Sequence, residues 1–425
     1  MQPVTILRKI LRDLARLTIW RYRPGIIGIT GTVGKTSTKL AVKAVLEKSR
    51  RVRAAAGNLN NDLGLPLAIL GNWSENDLKL VSRAQPPGTA RGQKLFFWLK
   101  VIFGGLFRIV VKDKNYPEIL ILEYGADRPG DVKNLLKIAR PNISIITAVG
   151  DIPVHVEFYA GPIEVAREKG RLIEYLPAAG FAILNYDDET VINLEQRTRA
   201  RVVTYGFNKG AEIKITRMEN RIENDRPIGI SFKLEYKGTF VPVRLKDVFG
   251  KSHAYAAAAA AAVGIVFGMN LVAISEALAD YAPAESRMQL LPGVKRTFVI
   301  DDSYNASPLS MHAALDTLRE LPAKRKVAVL GDMLEIGKYT IEAHEAIGKL
   351  AAESAQVLVT VGARAKFIAD AARATGMRKA AIFSFDTADD ARKPVQELMR
   401  QGDLVLVKAS HAIALEKVVE EIKAF

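Results

Sequence analysis

The apolar positions of this chain change their period several times, and each change predicts a change of element. At the N-terminus Ile6, Leu7, Ile10, Leu11, Leu14, Leu17 and Trp20 recur at close to helical spacing, which predicts an amphipathic helix. From Gly25 the pattern turns to short continuous apolar runs bounded by turn residues. Ile26–Ile29, Glu118–Glu123, Asn142–Thr147, Phe181–Asn185 and Val202–Tyr205 read as strands buried on both faces, and the helical stretches between them imply a parallel sheet. From Ile213 to Leu245 the pattern differs. Ile230–Tyr236 alternates, Lys237-Gly238 supplies a turn and Thr239–Leu245 alternates again, the pattern of an antiparallel hairpin.

An alanine-rich helix follows over Ala254–Phe267, and a boundary is expected near Pro283. Beyond it Phe298–Asp301, Lys326–Leu330, Gln356–Thr360, Ala381–Ser384 and Asp403–Val407 form a second strand–helix series, which predicts a Rossmann-like unit. The expected class is α/β: a central domain with a parallel sheet and a small antiparallel hairpin region, then a Rossmann-like C-terminal domain. The expected divisions are a basic helix at 1–24, a central domain at 25–284 and a C-terminal domain at 285–425. No internal repeat is visible.

One apolar stretch stands outside this scheme. Leu95–Val111, part of an apolar insertion over about 94–111, approaches membrane-spanning length, but Lys100 and Arg108 interrupt it and Gly104-Gly105 weaken it as a helix. A transmembrane helix needs about 20 apolar residues, so the expectation is a hairpin or broken helix at a bilayer interface, or else a buried helix. Charge bears on the same question. The chain carries a net +15, and residues 1–24 hold Arg8, Lys9, Arg12, Arg16, Arg21 and Arg23 against Asp13 alone. The N-terminal helix therefore either docks on the protein's own surface or makes a peripheral contact with an anionic membrane. No nucleic-acid module is recognisable, and no nucleic-acid partner is expected. The chain has no cysteine, which removes disulfides, thiolate metal sites and a thiol nucleophile. That fits a reducing cytoplasm, and no secretory signal is visible.

Chemistry enters at Thr30-Gly-Thr-Val-Gly-Lys-Thr-Ser37, which follows a strand and opens a helix. Glycines let backbone N–H groups approach phosphate oxygens, and the helix N-terminus adds positive potential. Lys35 would reach the terminal phosphates, and Thr36 or Ser37 would ligate magnesium. Ile29 stands where the full Walker pattern has its first glycine. Glu123 ends an apolar strand, where a carboxylate has no expected structural role and a metal role is natural. His155 lies in the loop after the next strand and Lys169 on the helix beyond it. Singly, these two read as a surface histidine and a solvated charge.

Together these segments resemble the Mur ligases. The phosphate loop is similar to their ATP loop, and Asn58-Leu-Asn-Asn-Asp-Leu-Gly-Leu-Pro66 to the signature that follows it. Arg287-Met288, Asp301-Asp-Ser-Tyr-Asn-Ala-Ser-Pro308, Gly331-Asp-Met-Leu-Glu335 and Val405-Leu-Val-Lys-Ala-Ser410 resemble the branch that joins D-Ala-D-Ala to UDP-N-acetylmuramoyl-tripeptide in peptidoglycan precursor synthesis. The resemblance implies an ATP-dependent amide ligase working through an acyl phosphate. It implies Thr30, Gly31, Thr32, Gly34 and Lys35 on the phosphates, with Thr36, Ser37 and Glu123 at one Mg²⁺. His155 and Lys169, the latter carboxylated by CO₂, would serve a second. Asn61 is implied near the phosphates, Arg287 at the nucleotide and Asp302 on the ribose.

Three features depart from that pattern. The family's UDP-binding N-terminal domain stands where this chain has the basic helix. His253-Ala254-Tyr255-Ala256-Ala257 lacks an asparagine that the family places near adenine, and Ser307 replaces an asparagine. Folylpolyglutamate synthases, which also begin directly at the loop, and ligases with another acceptor are alternatives of the same class. A non-catalytic membrane-associated nucleotide-binding scaffold is an alternative of another class.

Overall fold

The apolar run that ends in the glycine loop becomes the strand at the switch point of the first sheet. The computed structural model describes residues 3–81, 91–223 and 226–424. Its first nine strands are β1 Gly25–Thr30, β2 Val52–Ala54, β3 Ile119–Glu123, β4 Ile143–Ile146, β5 Phe181–Asn185, β6 Arg201–Gly206, β7 Ile213–Glu223, β8 Arg226–Tyr236 and β9 Thr239–Lys246. They pair in the order β2-β3-β1-β4-β5-β6-β7-β8-β9. The chain fills one side of β1 first and then the other. The C-terminal edge between β1 and β4 is therefore where the winding reverses, the usual place for a ligand crevice.

The α-helices described before residue 180 are α1 Pro3–Tyr22, α2 Lys35–Leu46, α3 Gly64–Leu70, α4 Glu75–Val81, α5 Arg91–Val110, α6 Asp131–Leu136 and α7 Pro162–Glu174. Alternate side chains of the parallel strands go to opposite faces. Ile27, Ile29, Ile121 and Ile145 pack with α2 and the helix Lys251–Val266, while Ile26, Leu120 and Leu122 pack with α3 and α6. Ala256 to Ala262 are all buried. Side chains this small let the helix Lys251–Val266 lie close against α2.

The expected single hairpin is a three-stranded meander, since β8 pairs antiparallel with both β7 and β9, and β7 joins it to the parallel sheet at β6. A register shift between Thr216 and Glu219 and a positive φ of 50° at Arg217 break its alternation, which hid β7 from a period-two reading. The second sheet holds β10 Gln289–Gly293, β11 Thr297–Asp301, β12 Arg325–Gly331, β13 Val357–Val361, β14 Ile382–Phe385 and β15 Asp403–Lys408, in the order β10-β11-β15-β12-β13-β14. Only β10 runs antiparallel among these pairs. It is an edge strand containing Pro292, the place where a sheet tolerates proline.

The apolar stretch before residue 111 corrects an expectation. It is neither a hairpin nor a broken helix nor wholly buried: α5 runs unbroken for 20 residues. One face is buried, with Phe97 and Val101 packed against Leu11, Leu14, Leu67, Leu70 and Trp73. A β-carbon at Gly105 would lie 3.3 Å from Leu70 and 3.6 Å from Leu14. That glycine is a contact point for α3 and α1 rather than a break. Among the described residues no helix is long and apolar enough to cross a membrane.

Candidate active site

The loop between β1 and α2 is held from below by the end of β4. Thr32 N donates to Ala148 O at 2.6 Å, and the Thr147 hydroxyl donates to Val33 O at 2.6 Å. Thr30 Oγ1 donates to Tyr124 O at 2.8 Å, so Thr30 braces the loop from the neighbouring strand. Gly31 has φ +147° and Gly34 φ +88°, and a β-carbon on Gly31 would lie 2.0 Å from Thr147 Oγ1. A Gly31→Ala substitution is expected to displace the loop and weaken ATP binding by at least about tenfold. Titration with a fluorescent ATP analogue measures this, and an unchanged affinity would contradict the packing described.

Two ammonium groups converge on one carbonyl. Lys35 Nζ donates to Gly31 O at 2.6 Å, and Lys169 Nζ donates to the same oxygen at 3.3 Å. Lys169 is 2% exposed. Burial, and then the charge of Lys35, push its pKa down to about 7, against the attraction of Asp127 and Glu168. Burial also lowers Lys35, partly offset by Glu123. Thr36 is half-buried at the start of α2, and the buried Ser37 lies beside the Tyr281 phenol.

Glu123 has a structural partner that the sequence did not reveal. Lys39 Nζ stands 2.8 Å from Glu123 Oε1, with both side chains almost wholly buried, and it donates to Gly57 O. Oε1 of Glu123 is met by the Lys39 charge, whereas the buried Oε2 has no partner of its own, nor does the buried Thr32 hydroxyl. A buried carboxylate oxygen left without a partner costs free energy unless a donor or a further cation completes it. Lys39 was missed because a lysine one turn beyond Lys35 reads as a solvated helix face.

His155 sits at φ +71° and reaches across to the second α/β unit. Its Nδ1 lies 2.7 Å from Glu335 Oε2 and its Nε2 lies 3.4 Å from Asp127 Oδ1. His155 holds the Glu335 carboxyl below the usual range. Among the described residues no group of three or more histidines and carboxylates is close enough to hold a metal by itself.

From the second unit, Arg287 stacks on Tyr304 with its guanidinium carbon 4.1 Å from the ring centre, and its charge is felt at Lys35. Asp302 is buried and already partnered. Lys408 Nζ donates to Asp302 Oδ2 at 2.6 Å, and Met288 N donates to Oδ1 at 3.1 Å. Burial pushes this carboxyl up and the ammonium down, each against the pull of the other. Asn61 is exposed, and its Oδ1 accepts from the N–H of Gly64, the first residue of α3, at 2.8 Å. His253 is structural, with one ring nitrogen 2.9 Å from the Tyr281 hydroxyl and the other 3.0 Å from Arg287 O. Burial lowers its pKa to about 4.

Two cavities lie between the units. One, of about 70 Å³, is lined by Thr32, Ser37, Arg287, Asp302 and Lys408. The other, of about 440 Å³, opens beside Gly34 and is lined by Asn185, Asp187 and Tyr255, with Leu309 and Thr317 from the second unit. Tyr255 donates to Asp187 Oδ2 at 2.8 Å. Ala254 and Ala257, in the segment where the family carries its asparagines, are buried in the core, whereas Tyr255 and Ala256 line the larger cavity.

A model of the Mur ligase middle domain matches residues 29–79 and 107–264, and a model of the Mur ligase glutamate ligase domain matches residues 286–411. Residues 1–28 and 80–106 fall outside these matches. The UDP-N-acetylmuramoyl-tripeptide–D-alanyl-D-alanine ligase of Mycobacterium leprae is 30% identical, over 92% of this chain and 72% of that protein. The Bacillus subtilis ligase of the same name is 27% identical, over 97% and 79%. Among solved structures, the MurF ligase of Thermotoga maritima in complex with ADP superposes with a TM-score of 0.76 at 23% identity, covering 97% of this chain and 83% of that one. A folylpolyglutamate synthase from Mycobacterium tuberculosis gives 0.64 at 16% identity, covering 96% and 94%. At these identities the superpositions speak to the fold.

Proposed function

This chain belongs to the Mur ligase family and is an ATP-dependent ligase that forms an amide bond; on that premise we propose that it joins D-Ala-D-Ala to UDP-N-acetylmuramoyl-tripeptide. The observation that carries the choice of substrates is likeness to ligases of that name over more than nine-tenths of the chain. The corresponding division of the chain is 1–24, 25–284 and 285–425, and the proposed place of action is the cytoplasm.

In this reading a carboxylate oxygen of the tripeptide attacks the γ-phosphorus of ATP, and the bond to the β-γ bridging oxygen breaks to release ADP. The amine of D-Ala-D-Ala then attacks the acyl carbon. Phosphate leaves with the former carboxylate oxygen, and the amine loses a proton. Lys35, with the N–H groups between Gly31 and Thr36, neutralises charge on the transferring phosphoryl group, and Arg287 adds a cation from the opposite unit. The protein supplies no nucleophile. Its contribution is to position two substrates and keep water out as the units close.

The residues present fit magnesium. Oε2 of Glu123 is buried without a partner while Oε1 faces Lys39, and Mg²⁺ is commonly bound by one or two carboxylates together with substrate phosphates. Thr36, Ser37 and Glu123 would hold one ion, and His155 with Lys169 a second. Such ions supply charge neutralisation at the phosphoryl oxygens. A lysine with a pKa of about 7 is substantially neutral at physiological pH. Its free lone pair can take up CO₂ as a carbamate, which would place an anionic oxygen ligand on the helix. Asp302, oriented by Lys408, is placed for the ribose, and Asn61 is assigned to the phosphate region.

The 440 Å³ cavity would take the adenine, between Tyr255 and the polar edge of Asn185 and Asp187. Tyr255→Ala is expected to raise KM for ATP about tenfold with a smaller effect on kcat, since stacking on a base is worth about 1–3 kcal/mol. Steady-state kinetics in ATP checks this, and an unchanged KM would move the base elsewhere. The substrates are tested by phosphate release from Mg-ATP with the muramyl tripeptide and D-Ala-D-Ala, each omitted in turn, beside folate with glutamate. Release is expected only when all three ligase substrates are present. Turnover with another acid alone would overturn the substrate assignment and leave the ligase chemistry standing.

A further inference from the structure

Helix α5 is apolar on two opposite faces, and the core accounts for only one of them. Phe97 and Val101 point inward. Phe96, Leu99, Phe103, Leu106, Phe107 and Val110 form a second stripe at spacings of three and four, one helical face. All six are exposed, Phe96 at 71%, Phe103 at 64%, Phe107 at 64% and Val110 at 79%. Contiguous apolar surface of this kind marks an interaction site.

Helix α1 packs on the same buried cluster and repeats the arrangement, with Ile6, Ile10, Leu17 and Trp20 outward and exposed. The outward positions beside them are basic: Lys9, Arg16, Arg21 and Arg23 are exposed on or just after α1, as are Lys100, Lys112 and Lys114 on or just after α5. Helix α1 and most of α5 lie in the stretches outside the matched family domains. None of the residues assigned above to the ligase site lies on them. Neither helix can cross a bilayer.

We propose that the outer faces of α5 and α1 seat this chain in the plane of an anionic membrane surface. The phenylalanines of α5 enter the acyl boundary and the cations of α1 meet the headgroups. An in-plane helix of this type buries its apolar face about 5–10 Å deep, and its binding scales with that apolar area and with attraction to anionic lipids. Both are present here. Charge complementarity selects a lipid surface over a second copy of this chain, because a second copy would bring the same positive charges face to face.

The test is co-sedimentation of the full chain with phosphatidylcholine vesicles containing about a third phosphatidylglycerol, and with phosphatidylcholine alone, at low and high salt. Binding is expected to the anionic vesicles and to fall with salt, as it should for headgroup electrostatics. F96S/F103S/F107S should reduce vesicle affinity at least about tenfold. K9Q/R16Q/R21Q should do so by about a hundredfold, the combined effect of removing three cations near the surface. Both variants are expected to keep wild-type ligase turnover in solution, which also shows that they fold. Equal binding to the two vesicle types, or variants that bind as well as wild type, would overturn the proposal. So would failure to bind the anionic vesicles, and a dimer, seen by sedimentation, that F96S/F103S/F107S breaks would then assign the face to a second copy.

Discussion

Replacing Lys169 by methionine is expected to stop ligation and, at the same time, to stabilise the folded protein near pH 7. Burial holds this ammonium at a pKa of about 7, whereas an unfolded lysine sits near 10.4. The lowered value means that the fold penalises the charged form. Below pH 7 the lysine is protonated in both states, and the penalty is fully present, on the order of 4 kcal/mol. Between about pH 7 and 10.5 the folded lysine is neutral while the unfolded one is still charged, so the penalty shrinks as pH rises. Methionine has a similar length and no charge to desolvate. Thermal melts in CO₂-free buffer should therefore show the variant ahead of wild type at pH 7, with the gap closing towards pH 10.5. A variant less stable than wild type at pH 7 would mean that the ammonium is well solvated or paired, against the burial seen here. Ligase turnover should fall at least about a hundredfold if Lys169 supports a metal at the phosphoryl group. A buried, unfavourable lysine kept beside a phosphate loop is the kind of stability cost found at functional sites.

Lys35→Ala carries the largest expected effect on catalysis, a loss of about a thousandfold in kcat, in line with removing a preorganised group that meets developing charge. The loss should appear in single-turnover phosphate release with all substrates saturating, which separates it from weaker ATP binding. A second consequence follows from the shared carbonyl. Lys35 and Lys169 both donate to Gly31 O, and the charge of Lys35 helps to depress Lys169. In the Lys35→Ala protein the Lys169 pKa should rise. The pH dependence of the Lys169→Met stability gain should then move upward, with coupling between the two sites in a double-mutant cycle. Turnover within a few-fold of wild type for Lys35→Ala would remove the loop from the chemistry.

The parts of this molecule that were legible in the sequence are those whose cause is local. Buried parallel strands announce themselves as continuous apolar runs, and the phosphate loop announces itself through glycines that must adopt positive φ. The strands that escaped are short or irregular: β2 has three residues, β7 is bulged and β10 carries Pro292. In α5 the pair Gly104-Gly105 reads as a weak point of a helix, whereas Gly105 serves contacts with Leu14 and Leu70 from other helices.

At the site, Lys35, Glu123 and Lys169 do come together, and Arg287 arrives from the second unit. Their partners were not foreseeable, because they are set by tertiary placement. Lys39 is buried against Glu123, Lys408 reaches Asp302 across 106 positions, and Glu335 meets His155 between units. Periodicity describes one element at a time and says little about which charge another element will bring. Glu123 shows the consequence. Read alone, it had only a metal to serve; in the fold it also faces a buried lysine.

The central claim is that a muramyl tripeptide carboxylate is activated by the γ-phosphate of ATP in this site. It is tested most directly by following oxygen. UDP-N-acetylmuramoyl-tripeptide labelled with ¹⁸O in its terminal carboxylate is incubated with the protein, Mg-ATP and D-Ala-D-Ala, and the inorganic phosphate is examined by mass spectrometry. An acyl phosphate predicts one carboxylate oxygen in each phosphate released, matched by one amide bond in the product. Unlabelled phosphate, or no turnover of this acid where another acid is consumed, would contradict the account.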